Sequence, residues 1–338
     1  MTPLKIAIVG ASGVVGRMFL TVLEERKIPI QSLVLFASSR SAGQTVLFHG
    51  RPHLILELNE ANVIANPVDF ALFSAGGDVS KMFAPIFVNT GAKVIDNSSY
   101  FRMHPEYPLV VPEANPEDLQ GNLSIIANPN CSTVQAVVAL KPLHDKFKIK
   151  RVIASTYQAV SGAGKAPMDE LFSQTKNFLK GKKVKSKHFT KQIAFNLIPH
   201  IDKFDKDGYT KEELKMENET KKILDPNIKM TATCVRVPVR TSHSESVNIE
   251  FAKPYSLKKV VQILKKAPGC KVIDTRKDGG YSTPYEAEGS YLTYISRIRK
   301  DNSNKKAINL WVVSDNLLKG AALNTVQIAE VLVKKYIR

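Results

Sequence analysis

The sequence predicts a two-domain α/β protein, in which a domain built on a parallel sheet precedes an α+β domain. The 338 residues suit two domains of ordinary size. Over the first 130 residues, short apolar strands alternate with helical patterns, which is typical of right-handed βαβ units. Beyond residue 130, apolar and polar residues alternate along the strands, as they do in half-exposed and largely antiparallel sheets.

The elements follow in order from these patterns. In the first domain we predict strands at residues 4–9, 32–37, 69–75 and 93–96, with helices at 14–26 and 79–90. In the second we predict strands at 152–157, 231–237 and 246–251, interrupted by a charged and helical segment over about 167–225. An amphipathic helix over 317–336 closes the chain.

Composition excludes several classes of protein. Hydrophobic residues make up 43% of the chain and charged residues 23%, so a packed core is expected and wholesale disorder is excluded. No apolar run approaches the roughly 18 residues of a membrane span, and Gly10 and Gly13 interrupt the N-terminal apolar stretch, so we expect neither a membrane protein nor a signal peptide. The three scattered cysteines fit neither a disulfide framework nor a zinc cluster, and they favour a reducing cytoplasm without a bound metal.

The charge is strongly basic, with 48 Lys and Arg against 31 Asp and Glu, a net charge of +17. Such an excess is compatible with nucleic-acid binding, because Lys and Arg neutralise phosphates. The densest basic stretch, residues 176–191, contains only two aromatic residues, Phe178 and Phe189, and no nucleic-acid motif. We therefore favour a solvated helical face, and the charge could also steer small polyanionic substrates.

A glycine-rich turn joins the first strand to the first helix. Gly10, Gly13 and Gly16 are spaced as G-x-x-G-x-x-G rather than the usual G-x-G-x-x-G. Glycines let the backbone approach a pyrophosphate, whose charge is held by the N–H groups at the helix start. A tight turn without a ligand is the alternative, and the strand–turn–helix context favours a Rossmann-like dinucleotide site.

The end of the second predicted strand indicates which dinucleotide binds. An NAD-specific site usually has Asp or Glu there to hold the ribose hydroxyls. This sequence has Ser38, Ser39, Arg40 and Ser41 instead. Hydroxyls and a guanidinium suit a 2′-phosphate, so NADP is favoured, with an ordinary serine-rich loop as the alternative.

Cys131 follows Pro129 and Asn130 and precedes a helical run over 134–143. It is therefore predicted to lie at or beside a helix N-terminus, where partial positive charge and free N–H groups favour a thiolate. Its polar surroundings favour a nucleophile over a small buried apolar residue, which is our interpretation of Cys234 and Cys270. A reactive cysteine with a nicotinamide cofactor indicates acyl or aldehyde chemistry through a thioester.

Several ordered stretches of the chain resemble the aspartate-semialdehyde dehydrogenase family, over essentially the whole length. They are Gly10 to Gly16, NSSYFR at 97–102, NPNCST at 128–133, YQAVSGAG at 157–164, EELK at 212–215, CVRVP at 234–238 with His243 and Ser244, and SDNLLKG at 314–320. Together and in this order, these motifs identify the family far more specifically than any one of them does alone.

The resemblance implies reductive dephosphorylation of L-aspartyl 4-phosphate by NADPH to L-aspartate 4-semialdehyde and phosphate. That step leads to lysine through diaminopimelate, and to threonine, methionine and isoleucine. The implied fold is a Rossmann-like NADP-binding domain over 1–130, completed by the C-terminal helix 316–338, and an α+β catalytic and dimerisation domain of the glyceraldehyde-3-phosphate-dehydrogenase-like type over 131–315. We expect a homodimer or homotetramer with small-molecule partners.

The resemblance also implies a role for each site residue. The catalytic and substrate residues are Cys131 as nucleophile, His243 as general acid/base, Gln158 to orient the intermediate, Arg236 for the substrate carboxylate, Glu212 for its amino group, and Arg102 and Lys215 for the phosphate. The cofactor residues are Gly10, Ser12, Gly13, Val14, Val15, Gly16, Ser38, Ser39, Arg40, Ser41, Ser161, Gly162 and Asn316.

Taken alone, some of these residues have ordinary explanations. Glu212 and Lys215, three residues apart on a predicted helix, would be a surface salt bridge. His243 would be structural or exposed, and Gln158 a buried amide bonded to backbone. Arg236 and His243 lie an odd number of residues apart, so we expect a bend between them.

Two other functions stay open. N-acetyl-glutamyl-phosphate reductase, or another phosphorylating aldehyde dehydrogenase, would share the cysteine chemistry, although the Gln158 segment and the Glu212–Lys215 pair argue against both. A catalytically silent homologue that binds nucleic acid through its charge would instead show salt-sensitive binding.

Overall fold

The computed structural model describes residues 3–336, which divide into two compact units. The described residues up to Asn130, together with those from Ala321 onward, form the first unit, and Cys131–Gly320 form the second. Within residues 3–336, no helix is both long enough and apolar enough to cross a membrane.

The first unit contains a seven-stranded sheet in the order β3-β4-β2-β1-β5-β6-β7. Only β3 runs antiparallel to its neighbour, so the predicted parallel α/β domain is confirmed, and the β3–β4 hairpin at its edge is an addition. In chain order its elements are β1 (Leu4–Val9), α1 (Val14–Glu25), β2 (Ile30–Ala37), β3 (Thr45–Phe48), β4 (Arg51–Glu57), α2 (Glu60–Ala65), β5 (Phe70–Phe73), α3 (Gly77–Asn89), β6 (Lys93–Asp96) and β7 (Ile125–Ala127).

The strand order reverses at β1, which has β2 on one side and β5 on the other. In open α/β sheets, ligands bind outside the carboxyl ends of the strands at such a reversal. The turn that follows β1 therefore lies where the fold places a nucleotide site.

The second unit contains a six-stranded sheet in the order β11-β12-β13-β10-β8-β9. The pairs β8–β9 and β11–β12 are parallel and the other three are antiparallel, so the sheet is more mixed than predicted. In chain order the elements are α4 (Cys131–Phe147), β8 (Ile149–Gln158), α5 (Lys165–Leu179), α6 (Lys211–Ile223), β9 (Lys229–Arg236), β10 (His243–Phe251), α7 (Leu257–Lys266), β11 (Cys270–Val272), α8 (Pro284–Ala287), β12 (Thr293–Lys300) and β13 (Ala307–Ser314), followed by α9 (Leu323–Tyr336) of the first unit.

One face of this second sheet packs against α4, α6 and α7 in a single apolar core. Every second residue of a strand enters it, for example Val152 and Ala154 from β8 and Val247 and Ile249 from β10. Residues that continue this alternation toward the strand ends face the same side, and these include Gln158, Arg236 and His243.

The lysine-rich stretch 176–191 is exposed, but the prediction of a helical face is wrong for most of it. Gly181 (φ +64°) ends α5, and the N–H groups of Gly181 and Lys182 donate to the carbonyls of Phe178 and Asn177 at 3.0 and 2.9 Å. This is a Schellman stop, which glycine permits because it adopts left-handed φ without strain.

Beyond the stop, two buried side chains of α5 fasten the non-helical chain. The Glu170 carboxylate accepts the N–H groups of Lys187 and His188, and the Gln174 carbonyl accepts those of Ile193 and Ala194. The stretch is therefore an exposed loop with an anchored second half.

Candidate active site

The glycine turn between β1 and α1 is held in close contact with the sheet. Gly10 has φ +91°, and a Cβ there would lie 2.8 Å from the Ser74 carbonyl oxygen after β5. A Cβ at Gly16 would lie 2.2 Å from the Gly10 carbonyl oxygen, so α1 starts directly against the turn. Gly13 caps α1 without a side-chain hydrogen bond, and the first turn of α1 contains no acidic residue. These features leave a helix N-terminus suited to an anion.

The loop after β2 contains the residues expected to choose between NAD and NADP. Ser38, Ser39 and Arg40 are exposed, and the turn closes through the Ser41 N–H to the Ser38 carbonyl at 2.9 Å. None of residues 38–41 is a carboxylate, although Glu57 of β4 pairs with Ala37 at the end of β2.

Arg102 is nearly buried in the loop that follows β6. Its Nη2 donates to the Asn97 carbonyl at 2.9 Å. Burial raises the pKa of the neighbouring Asp96, although hydrogen bonds from Ser98 and Ser80 and the Arg102 charge oppose this. The loop thus places a guanidinium beside a polar buried cluster in the first unit.

Cys131 is the first residue of α4, as the sequence predicts. A Cβ at Gly320 would lie 2.7 Å from Cys131 Cβ and 3.1 Å from its Cα. Gly320 belongs to the π-helical turn Leu318–Ala322, and only a glycine lets that turn approach the cysteine so closely.

The strand residues of the site form one row across the second sheet. Arg236, the last residue of β9, pairs with Gln158, the last residue of β8. Tyr157 pairs with Ser244, which places His243, the first residue of β10, across from Gln158. The expected bend is confirmed as a complete strand break, since β9 ends at Arg236 and β10 begins at His243.

His243 is fully buried and neutral. The Ala159 N–H donates to its Nδ1 at 3.0 Å, so the neutral ring has its proton on Nε2. Burial, reinforced by the charge of Arg236, lowers the pKa of His243 to about 3. A Cβ at Gly162 would lie 3.2 Å from both His243 Nε2 and Arg236 Nη1, so these two groups border the same small volume beside Gly162.

Arg236 is buried and positioned by backbone. Its Nη1 donates to the Ala159 carbonyl at 2.7 Å, and its N–H and carbonyl both pair with Ile198. Burial lowers the pKa of Arg236, and the nearby Glu212 and Cys131 oppose that shift. A guanidinium stays charged at neutral pH even so.

Gln158 joins the row to two helices. Its Nε2 donates to Ser132 Oγ on α4 and to Glu212 Oε1 on α6, the latter at 2.9 Å. The alternative of an amide bonded to backbone is therefore wrong. Gln158 holds a carboxylate close to the start of α4.

Glu212 and Lys215 form an ion pair at 3.1 Å on α6, as their spacing predicts, but Glu212 is buried and the pair is no ordinary surface salt bridge. Lys215 also bonds Asp202 at 2.9 Å. Burial lowers the pKa of Lys215, but Glu212 and Asp202 together raise it above its ordinary value.

Asn316 links two loops around His243. Its Oδ1 accepts Ser161 Oγ at 3.0 Å and the Ser242 N–H at 2.9 Å. Ser242 has φ +75°, a left-handed conformation that costs energy for a residue with a side chain, and it immediately precedes His243. Asn316 therefore contacts both the Ser161–Gly162 loop and the backbone that carries the histidine.

The other two cysteines differ from each other. Cys234 is buried in the core, where desolvation strongly raises its pKa. Cys270 is only half-buried in edge strand β11, so the prediction of a buried residue is wrong there.

Sequence reasoning did not find four residues that complete this site. They are Ser132, which bonds Gln158; Asp202, which bonds Lys215; Ser242, which shapes the approach to His243; and Gly320, which contacts Cys131. Ser132 and Gly320 lie inside the motifs already noted, but no spacing rule distinguishes them from their neighbours.

Family comparisons agree with this geometry. Residues 5–122 match the model described as "Semialdehyde dehydrogenase, NAD binding domain", and residues 140–319 match "Semialdehyde dehydrogenase, dimerisation domain". Aspartate-semialdehyde dehydrogenase of Aquifex aeolicus is 54% identical over 98% of each chain, and that of Campylobacter jejuni is 50% identical over 96% of each.

Solved structures give the same result. Aspartate semialdehyde dehydrogenase II of Vibrio cholerae, complexed with ASA, has a TM-score of 0.96 and 46% identity over 99% of this chain and 100% of that one. The Candida albicans enzyme with NADP has a TM-score of 0.79 and 26% identity over the full length of both chains. The chain described here belongs to the aspartate-semialdehyde dehydrogenase family.

Proposed function

We propose that this enzyme reduces L-aspartyl 4-phosphate to L-aspartate 4-semialdehyde and phosphate with NADPH, through a thioester on Cys131. The reaction would serve the biosynthesis of lysine through diaminopimelate, and of threonine, methionine and isoleucine. The observation that carries the proposal is the row of Arg236, Gln158 and His243 on the sheet face where α4 begins with Cys131.

In the first half-reaction the Cys131 sulfur attacks the acyl carbon, and the carbon–oxygen bond to phosphate breaks. The helix N-terminus at Cys131 supports negative charge on the sulfur. Glu212, held by Gln158, suits the substrate ammonium, and the Arg236 guanidinium suits its carboxylate. These two groups would fix the acyl carbon over the sulfur.

In the second half-reaction the thioester becomes an aldehyde. When bound, the cofactor supplies a hydride to the carbonyl carbon. His243, neutral and with its proton on Nε2, would donate a hydrogen bond to the oxygen as negative charge develops there. The carbon–sulfur bond then breaks, and the thiolate is regenerated.

The departing phosphate needs positive charge. Arg102 and Lys215 are proposed to supply it. The raised pKa of Lys215 favours the charged amine throughout the neutral range.

The residues of the first unit fit a dinucleotide. The turn at Gly10, which a Cβ would fill, and the start of α1 without a side-chain cap suit a pyrophosphate. Ser12, Gly13, Val14, Val15 and Gly16 complete this turn. The hydroxyls of Ser38, Ser39 and Ser41, with the exposed Arg40, favour NADP over NAD. Ser161, Gly162 and Asn316 are the proposed cofactor residues of the second unit.

The match to a dimerisation domain supports a homodimer, to be distinguished from a tetramer by mass measurement in solution. Three free thiols fit a reducing cytoplasm.

The test is phosphate-dependent reduction of NADP by the purified protein with L-aspartate 4-semialdehyde, in parallel with NAD. We expect turnover that requires phosphate and is faster with NADP. Equal rates with NAD would overturn the cofactor proposal alone. No turnover with either cofactor, while N-acetyl-glutamate semialdehyde or glyceraldehyde 3-phosphate is oxidised, would assign a different acyl phosphate.

A further inference from the structure

A fully buried glutamate lies two residues beyond His243 on β10. Glu245 is inaccessible to solvent, and it continues the alternation of Val247 and Ile249 into the apolar core. Neither of its carboxyl oxygens makes a hydrogen bond of normal length within the described chain. A carboxyl group in such surroundings lowers stability, so its position calls for an explanation.

Glu245 belongs to a second row across the sheet, one step inside the catalytic row. It pairs with Thr156 of β8, which in turn pairs with Cys234 of β9. Arg236, Gln158 and His243 each lie two residues from one member of this row, on the same face. The second row therefore underlies the three strand residues of the active site.

The helix that carries the nucleophile presents a polar group to this row. Gln135 lies one turn after Cys131 on α4, and it too is fully buried. Its two amide atoms make no hydrogen bond of normal length with residues 3–336. Burial raises the pKa of the Glu245 carboxyl well above its ordinary value. The Gln135 amide is close enough to that carboxyl to lower its pKa in part.

Burial favours the uncharged form of Glu245, and the Gln135 amide opposes that effect only in part, because the pKa stays well above its ordinary value. The titratable neighbours in this region are His243, which is neutral, Cys234, whose pKa is raised, and Glu212 and Glu213 of α6. The Arg236 guanidinium lies in the adjacent row, but it is not among the groups that shift the pKa of Glu245. A protonated carboxyl can both donate and accept a hydrogen bond, which matches the two ends of an amide.

We propose that Glu245, as an uncharged carboxylic acid, is a positioning residue that couples β10 to α4 through Gln135 and so fixes His243 relative to Cys131. This rests on the proposed function, in which Cys131 and His243 act on one substrate. A polar pair in a core fixes one arrangement where apolar side chains would tolerate several.

The test compares two variants. Glu245→Gln keeps the shape and the hydrogen-bonding groups of the side chain, whereas Glu245→Met keeps only its volume. We expect Glu245→Gln to retain kcat within about threefold, and Glu245→Met to lower it at least about tenfold with KM nearly unchanged. Glu245→Met should nevertheless melt at the same or a higher temperature, because an apolar side chain suits the core better. Loss of activity without loss of stability is a result that a merely structural role would not produce.

Further variants identify the partner. Gln135→Met should lower kcat as Glu245→Met does, and the double variant should lose no more than either single one. Glu250→Gln is the matched control, because Glu250 is on β10 but on the other face, paired with Lys150 at 3.3 Å, and it should leave kcat unchanged. Wild-type kcat in Glu245→Met would overturn the proposal, and so would an equal loss in Glu245→Gln.

A second readout is independent of the substrate. The rate at which iodoacetamide alkylates Cys131, followed on its own peptide, should change in Glu245→Met and not in Glu245→Gln. If the protein fails to turn over aspartate semialdehyde but this difference persists, the proposed function fails and the coupling stands. If turnover is normal and alkylation is the same in all variants, the coupling fails and the function stands.

Should Glu245→Met not fold, the pH dependence of kcat in Glu245→Gln decides. The wild-type kcat should fall at alkaline pH as Glu245 ionises, and the Glu245→Gln kcat should not. If kcat falls identically at alkaline pH in the wild type and in Glu245→Gln, the proposal is overturned.

Discussion

Replacing Gly320 by alanine tests how closely the segment after β13 must pack on Cys131, the proposed nucleophile. The added Cβ would lie 2.7 Å from Cys131 Cβ and 3.1 Å from its Cα, whereas carbon atoms in contact are normally about 3.5–4.0 Å apart. Either the turn or the start of α4 must therefore shift by about 1 Å. Misplacement on that scale costs about 10²-fold in rate, or about 2.7 kcal/mol of transition-state stabilisation.

The loss of transition-state stabilisation in Gly320→Ala should exceed the loss in the free energy of unfolding. Gly320 is not in the left-handed region, so alanine brings no backbone strain there. The helical preference of alanine over glycine, about 1 kcal/mol, offsets part of the roughly 1–3 kcal/mol that overpacking costs. We therefore expect a loss of at most about 2 kcal/mol in the free energy of unfolding, from the difference of these values.

The assay is kcat in the phosphate-dependent reverse reaction, with thermal unfolding measured on the same samples. Gly77→Ala is the matched control, since a Cβ at Gly77 would meet Tyr100 Cβ at an ordinary 3.7 Å and should leave stability nearly unchanged. A Gly320→Ala enzyme with wild-type kcat and wild-type alkylation of Cys131 would refute the packing argument.

Three further predictions concern single site residues. Cys131→Ala should abolish turnover yet keep NADPH binding, measured by calorimetry, and appreciable residual activity would remove the thioester mechanism. Arg236→Lys should raise KM at least about tenfold, because an ammonium cannot form the bidentate fork to a carboxylate, whereas unchanged kcat and KM would take Arg236 out of the site. For His243, the unfolded chain binds a proton below the ordinary pKa of 6.5 that the folded protein accepts only near a pKa of 3, so wild-type stability falls as pH drops through this window. Between pH 6.5 and 5 the wild type should lose about 1.6 kcal/mol more than His243→Gln in urea unfolding, and parallel losses would show that His243 is not buried neutral.

The features that local patterns control were predictable from sequence. The apolar run of β1 and the glycines after it specify a buried strand and a tight turn, and Pro129 before a helical run places Cys131 at a helix start. The order of the motifs was enough to name Arg236, Gln158 and His243, which the strand register brings into one row.

Features that depend on contacts distant in sequence were not predictable. The β8–β9 pair is parallel because α5 and α6 intervene as a crossover, and alternation alone does not reveal strand direction. Gly181 stops α5 through its left-handed φ, which a count of lysines does not reveal. The tautomer of His243 depends on the N–H of Ala159, which is 84 residues away in the chain.

The anchoring of the lysine-rich loop should control where a protease can cut it. Trypsin must draw several residues of backbone into its cleft, and it therefore selects segments that open locally at little cost. Lys180, Lys182 and Lys183 flank the helix stop at Gly181, whereas the backbone at Lys187 and His188 is bonded to the buried Glu170. The first nick should fall in the earlier group, so the most basic stretch of the chain presents only part of its lysines as cleavage sites.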